Sequence, residues 1–290
     1  MRVRVVPREE LSRFSGEAWV DRKRRPYVQE REAFVPVLDG HPADCEIPEK
    51  KPYHGRGYQM LGDTALVHGT RPTDDEISEI VRWRQPRCVI YLGGHTGVTR
   101  IPEAEVLYGT AGEVSHHENG ITYFLDPCRV MFSQGNREEK ARIAGLIREG
   151  EHVADMFAGI GYFTISAARA GAQVHAMEIN PVAFSYLEKN CAANYVAGQV
   201  RCSCGDCRDL LDGTYDRILM GHFDSVSMLR SAFSHVHVGS VLHVHTIGHA
   251  VDEISLEAER AGWQIGLTEV KVKKYAPGRW HMVTDVVIEG

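Results

Sequence analysis

From residue 150 onward, short apolar runs alternate with amphipathic stretches, and this alternation predicts most of the architecture. Strands are expected near 151–157, 173–179, 199–204, 216–221, 240–246, 264–272 and 281–288. Helices fill the gaps, notably 181–194 and 251–261. Strands separated by helices pair in parallel, and ligands then bind beyond their carboxyl ends. Only residues 273–279 join the last two strands. That is too short for a helical crossover, so the final strand should run antiparallel.

The pattern upstream is different. Residues 61–135 read as a small α+β domain. Thr73-x-x-Glu76 forms a capping box ahead of Ile77, Ile80, Val81 and Trp83 at helical spacing. A strand is expected over Cys88 to Leu92, followed by Gly93-Gly94. His117-Glu118-Asn119-Gly120 reads as a hairpin turn between 113–116 and 121–125. Asn136-x-x-Glu139 should cap another helix, running through Ile147 and stopping at Gly150. It would open the main domain, residues 136–290.

Residues 1–60 read as a basic, loop-rich segment. Arg22-Lys23-Arg24-Arg25-Pro26-Tyr27 is a cationic cluster, and the stretch from Lys50 to Tyr58 interleaves cations, aromatics and glycines. Pro42, Pro48 and Pro52 interrupt any regular pattern. Basic residues beside tyrosines suit nucleic acid, through phosphate neutralisation and stacking. The same composition also describes a solvated arm.

Composition narrows the class. The 290 residues are 43% hydrophobic and 25% charged, as in a soluble globular protein. No apolar run approaches membrane-spanning length, and the opening Met1-Arg2-Val3-Arg4 lacks the apolar core of a secretory signal. A cytoplasmic location is therefore expected. The net charge of −6 argues against a general polyanion binder. Seven cysteines in a chain this long suggest no disulfide framework. Cys202, Cys204 and Cys207 are clustered but have no fourth ligand at a usual spacing, so buried thiols are expected and no metal.

The most informative segment is Asp155-Met156-Phe157-Ala158-Gly159-Ile160-Gly161, between an apolar approach and a helix start. This is the geometry in which backbone N–H groups face a nucleotide-like ligand. Gly159 and Gly161 would permit close backbone approach. Glu178 follows at the end of the next strand, where a carboxylate can accept both ribose hydroxyls. Asp206 closes the strand after that. The third glycine of a dinucleotide fingerprint would fall on Thr164. Three acids at three successive strand ends instead suit S-adenosyl-L-methionine.

Several segments, in order, resemble a known family. They are His117-Glu118-Asn119-Gly120-Ile121, Asp126-Pro127, Val130-Met131-Phe132-Ser133-x-Gly135-Asn136, the turn at 155–161, Asp216-Arg217-Ile218-Leu219-Met220-Gly221 and Tyr275-Ala276-Pro277-Gly278. Together they are similar to the archaeal and eukaryotic enzymes acting on position 37 of tRNA, over about residues 60–290. The resemblance implies a class I methyltransferase-like Rossmann sheet of seven strands, the last reversed. Within the group it is nearest to the aminocarboxypropyltransferases of wybutosine synthesis, whose sisters are the guanine-37 N1-methyltransferases. The methylating branch carries an Asn-x-Pro type segment after the fourth strand, where this chain has Gly221-His222-Phe223-Asp224-Ser225.

The resemblance therefore implies transfer of the 3-amino-3-carboxypropyl group of S-adenosylmethionine to C7 of 4-demethylwyosine in the anticodon loop of tRNA(Phe). Guanine N1-methylation is the alternative, and a non-catalytic RNA module that binds the cofactor a further one. The family's cofactor contacts carry over onto Ser133, Lys140, Glu178, Asp206 and Cys207, where Cys207 departs from a frequent Asn. Asp155, Phe157, Gly159 and Gly161 complete the expected cofactor site, with Asp155 suited either to the ligand's ammonium or to organising the turn. Ser133 would donate to the ligand carboxylate and Lys140 would neutralise it. Among fifteen histidines, His222 and His245 lie on the ligand side of the sheet, as candidate bases or as packing residues.

Overall fold

The computed structural model describes residues 1–48, 53–133 and 136–290. Part of the Lys50–Tyr58 stretch and Gly135 of the quoted motif thus lie outside the described residues. The chain forms two compact units, Met1–His54 and Gly55–Gly290.

The first unit departs from the expectation of a loop-rich arm. Four antiparallel strands, β1 (Arg2–Pro7), β2 (Tyr27–Gln29), β3 (Glu32–Pro36) and β4 (Cys45–Glu46), pair in the order β2-β3-β1-β4. Val3, Val6, Val20, Ala33 and Val35 are buried, with Leu11, Phe14 and Trp19 packed against them. The strands are short and charged on their open side, which hides their period from a composition-based reading. The cationic run at 22–25 is exposed and sits in the connection ahead of β2.

The second unit opens with β5 (Gln59–Leu61), β6 (Thr64–His68), α1 (Asp74–Arg84), β7 (Cys88–Thr96) and β8 (Ile101–Gly109). These strands form a sheet in sequence order. The Thr73 capping box is present: Glu76 N donates to Thr73 Oγ1, and Thr73 N to the Glu76 carboxylate. Gly93-Gly94 does not end a strand as expected. The strand runs through both glycines with a register shift between Leu92 and His95, so they form an irregularity within the ladder. The hairpin of β9 (Val114–Glu118) and β10 (Ile121–Leu125) follows, with Asn119 and Gly120 both at positive φ. Next comes α2 (Arg137–Leu146). The capping box expected at Asn136 is absent: Asn136 makes no side-chain cap, and Glu139 pairs with Arg142 instead.

The main sheet comprises β11 (His152–Asp155), β12 (Gln173–Glu178), β13 (Val200–Cys204), β14 (Arg217–Met220), β15 (Val241–Ile247), β16 (Ile265–Ala276) and β17 (Arg279–Ile288). Their order is β13-β12-β11-β14-β15-β17-β16, and β17 alone is reversed. Between them lie α3 (Thr164–Arg169), α4 (Pro181–Ala193), α5 (Cys207–Leu210), α6 (Leu229–Phe233) and α7 (Val251–Ala261). Successive residues feed opposite faces. Val153 and Leu219 join the core beneath α3, α4 and the β9–β10 hairpin, whereas Ala154 and Ile218 join the core beneath α6 and α7. Strand order reverses between β11 and β14, so their carboxyl ends open a crevice where a ligand can enter.

Candidate active site

The loop that leaves β11 organises the crevice. Asp155, which ends the strand, is fully buried. Its carboxylate accepts from Thr164 Oγ1 at 2.7 Å and more weakly from Phe157 N at 3.4 Å. Burial pushes its pKa up to about 6. Of the two roles expected for Asp155, this geometry is the loop-organising one. Gly159 and Gly161 have φ of +57° and +102°. A Cβ on Gly161 would lie 2.8 Å from Ile165 Cδ1, so glycine there also serves packing of the loop on its own helix.

Glu178, at the end of β12, closes the loop from the other side. One carboxylate oxygen accepts from Gly159 N and the other from Asn180 N, each at 2.7 Å. Burial raises its pKa despite these backbone donors. At the end of β13, Asp206 caps α5 by accepting from Arg208 N at 2.9 Å. The hydrogen-bonded Arg208 guanidinium holds its pKa down. Cys207 is the first residue of α5 and the only one of the three clustered cysteines that is buried as expected, with Cys202 half-buried and Cys204 exposed at the strand end; its Sγ lies 3.6 Å from Met228 Sδ. Burial pushes this thiol up to about 12, making it a packing group and not a nucleophile.

Three aromatic residues of the same loop reach the other candidates. Phe157 stacks on His222 across the crevice, with centroids 5.3 Å apart and planes at 26°. Tyr162 donates to Met131 O at 2.7 Å and accepts from Ser133 N at 3.2 Å, which fixes Ser133 beside the turn. Phe163 meets His245 edge-on at 5.4 Å. Of these three loop aromatics the sequence pointed to Phe157 alone; Tyr162 and Phe163 were not among the expected site residues.

Lys140 lies on α2 and is only 1% exposed. Its Nζ is 2.5 Å from Glu118 Oε1, inside a box of Tyr123, Phe132 and Tyr162 whose centroids lie 5.6, 5.8 and 5.0 Å away. Burial lowers its pKa against the opposing pull of Glu118. Glu118 was not among the expected site residues, although it stands in the quoted His117-Glu118-Asn119-Gly120 motif. Its alternation with Ile121 and Tyr123 across the hairpin was the available signal.

The two candidate histidines differ. His222 is half-buried, and its Nδ1 accepts from Asp224 N at 3.2 Å, which leaves Nε2 to carry the proton of the neutral ring. Burial lowers its pKa, assisted by the charge of Arg100. His245 is fully shielded and shares a hydrogen with His281, Nδ1 to Nε2 at 2.9 Å. Beside this pair, His243 contacts Asp285 at 2.6 Å and Arg217 at 2.6 Å. Arg142 bridges Glu139 and Asp285, which ties α2 to the reversed strand. Among the described residues no group of three or more His, Cys, Asp or Glu has a metal-binding arrangement, and no helix is long and apolar enough to cross a membrane.

Residues 114–266 match the TRM5/TYW2 methyltransferase domain. The chain is 37% identical over 248 residues to the tRNA(Phe) (4-demethylwyosine(37)-C(7)) aminocarboxypropyltransferase of Methanocaldococcus jannaschii, covering 81% of this chain and 99% of that protein. The crystal structure of M. jannaschii TYW2 in complex with AdoMet superposes with a TM-score of 0.66 at 30% identity, over 80% of this chain and 99% of that one. Wild-type Trm5b from Pyrococcus abyssi gives a TM-score of 0.74 at 25% identity over 99% of both chains. A sheet with this strand order, a glycine turn at its switch point and a relative of this identity lead to one conclusion: the chain belongs to the TRM5/TYW2 methyltransferase domain family.

Proposed function

We propose that this protein transfers the 3-amino-3-carboxypropyl group of S-adenosylmethionine to C7 of 4-demethylwyosine at position 37 of tRNA(Phe). The observation that carries this reading is the crevice wall at 221–225. His222 stacks on Phe157 at 5.3 Å where the methylating branch has an Asn-x-Pro segment. The aminocarboxypropyl transfer for which the M. jannaschii relative is named supports it. The donor set suits adenosine: a half-buried carboxylate ends β12, a second caps α5 just after β13, and Phe157 offers an aromatic face.

Bound S-adenosylmethionine would supply an electrophilic γ-carbon next to a sulfonium: attack by C7 forms the C7–Cγ bond and breaks the Cγ–S bond, which releases 5′-methylthioadenosine, and the C7 proton then leaves to water as the base re-aromatises. Glu178 would hold the ribose, and Asp206 and the Cys207 backbone would meet the adenine edge beside the turn at 157–161. Ser133 and Lys140 receive the carboxylate of the arm, positioned by Tyr162 and Glu118. The protein's contribution is mainly orientation and exclusion of water, because a thioether departs without acid assistance. Residues 136–290 carry this chemistry, residues 61–135 supply the hairpin beside Lys140, and the anticodon loop presents the base. Such an enzyme works in the cytoplasm.

The direct test is mass spectrometry of two tRNA(Phe) substrates, one carrying 4-demethylwyosine and one an unmodified guanine at position 37, each incubated with the protein and labelled S-adenosylmethionine. An aminocarboxypropyl gain is expected. A methyl gain on guanine-37 would move the protein to the sister activity, and no gain would make it a binding module.

A further inference from the structure

The hairpin of β16 and β17 extends past residue 266, where the matched domain ends, and its tip is the Tyr275-Ala276-Pro277-Gly278 segment. Between residues 270 and 284 it carries Lys271, Lys273, Lys274 and Arg279 and no carboxylate, in a chain of net charge −6. Tyr275 and Trp280 are 53% and 41% exposed there. Each ring has a cation against it: Arg279 Cζ lies 5.9 Å from the Tyr275 centroid, and Lys271 Nζ 5.5 Å from that of Trp280. The ladder slips twice, between Lys271 and Lys273 and between Lys274 and Ala276. β16 is the edge strand of the sheet, where such bulges re-aim side chains and block pairing with another strand. The tip also adjoins the crevice, because Phe223 meets Tyr275 edge-on at 5.5 Å and His281 at 5.0 Å.

We infer that this hairpin tip is the docking surface for the unpaired RNA strand flanking the target base, with Tyr275 and Trp280 as stacking platforms and Lys271, Lys274 and Arg279 as phosphate contacts. The inference rests on the tRNA reading above. Exposed rings bracketed by cations match single-stranded nucleic acid, whose bases stack while its phosphates are neutralised. A protein partner would call instead for a contiguous apolar patch depleted of lysine. The link through Phe223 sets the docked strand beside residues 221–225, so a base swung out of that strand enters the crevice.

The test is binding of an anticodon stem-loop RNA by the full chain across a salt series. Tyr275→Ala should weaken binding about tenfold, as expected for a lost base–aromatic stack, and Tyr275→Phe should restore it. Trp280→Ala provides an independent variant at the second ring. Lys271→Met, Lys274→Met and Arg279→Met combined should lower the salt slope by about 2, at about 0.7 per phosphate contact. Affinity for methylthioadenosine should be unchanged throughout, which reports an intact fold. A fully paired RNA should show less than a twofold effect of Tyr275→Ala. Variants that bind the stem-loop as the wild type does, with the same salt slope, would overturn the hairpin assignment alone. Equal losses on loop and duplex would reduce it to a nonspecific cationic patch and also overturn it. A wild-type protein that binds methylthioadenosine but no stem-loop would instead overturn the tRNA reading, and this inference with it.

Discussion

Lys140 and Glu118 form a buried ion pair 2.5 Å apart, the lysine 1% and the glutamate 7% exposed, with three aromatic rings around the ammonium. The cation proposed to receive a ligand carboxylate is therefore already neutralised in the free protein. An incoming carboxylate would have to share it with Glu118, which would couple binding and stability at this position. Removing one partner of such a pair costs about 3–5 kcal/mol, mostly from the charge left buried and unpaired.

Lys140→Met is accordingly expected to lose about that much stability in urea melts and to lose aminocarboxypropyl transfer far more than affinity for methylthioadenosine, which lacks the arm. Adding Glu118→Gln removes the stranded charge and should recover most of the stability but none of the transfer. If the double variant recovers both, Lys140 acts through folding alone.

Glu178 should behave differently, because the ribose it is proposed to hold is common to both ligands. Glu178→Ala is expected to weaken S-adenosylmethionine and methylthioadenosine alike, by about 1.5–3 kcal/mol. Some of that loss will come from freeing Gly159 N, which the carboxylate now holds. Calorimetry on both ligands decides the matter. Unchanged affinity in a folded variant would remove Glu178 from the site.

Much of this architecture was legible because most strands of the main sheet are short apolar runs separated by helices. The helix Val251–Ala261 and the reversed last strand match what the spacing predicts. The first unit was not legible: two- to six-residue strands beside a cationic cluster give too little periodicity to register. At Asn136 local signals failed, because Glu139 is drawn into the ion pair with Arg142 that anchors α2 to Asp285. The Lys140–Glu118 pair joins residues on a helix and a hairpin through tertiary packing, which residue spacing does not encode. The glycine turn and the three acids were readable because chemistry and local backbone geometry coincide there.

Asp155 gives a pH signature. Its carboxyl rises from an ordinary 3.8 to about 6 in the folded chain, chiefly by burial. The folded protein thus holds this proton more tightly than the unfolded one. The group's stabilising contribution is complete below about pH 4 and lost as pH rises through about 6, a difference of about 3 kcal/mol. Relative to Asp155→Asn, the wild type should lose stability by that order over this window in urea melts recorded at successive pH values. Parallel curves for the two proteins would show that the carboxylate is not held as the geometry implies.

His222 and Phe157 provide the last test, because they separate a stacking role from a proton-transfer role. The His222 ring lies against Phe157 at 26°, and its Nδ1 is occupied by Asp224 N, so the ring is positioned by its face and by one nitrogen. Burial holds its pKa below the ordinary value, which keeps the ring neutral near pH 7. A general base at this position would contribute about 10²–10⁴ in rate. A stacking wall would contribute little that a phenyl ring cannot replace. His222→Phe is therefore expected to retain turnover within about tenfold, whereas His222→Ala, which removes the wall, should lose substantially more. Single-turnover rates of transfer make the comparison, with methylthioadenosine affinity as the check on the cofactor side. A drop of about 10²–10⁴ in His222→Phe, with the ligand still bound, would assign the proton of C7 to His222 instead.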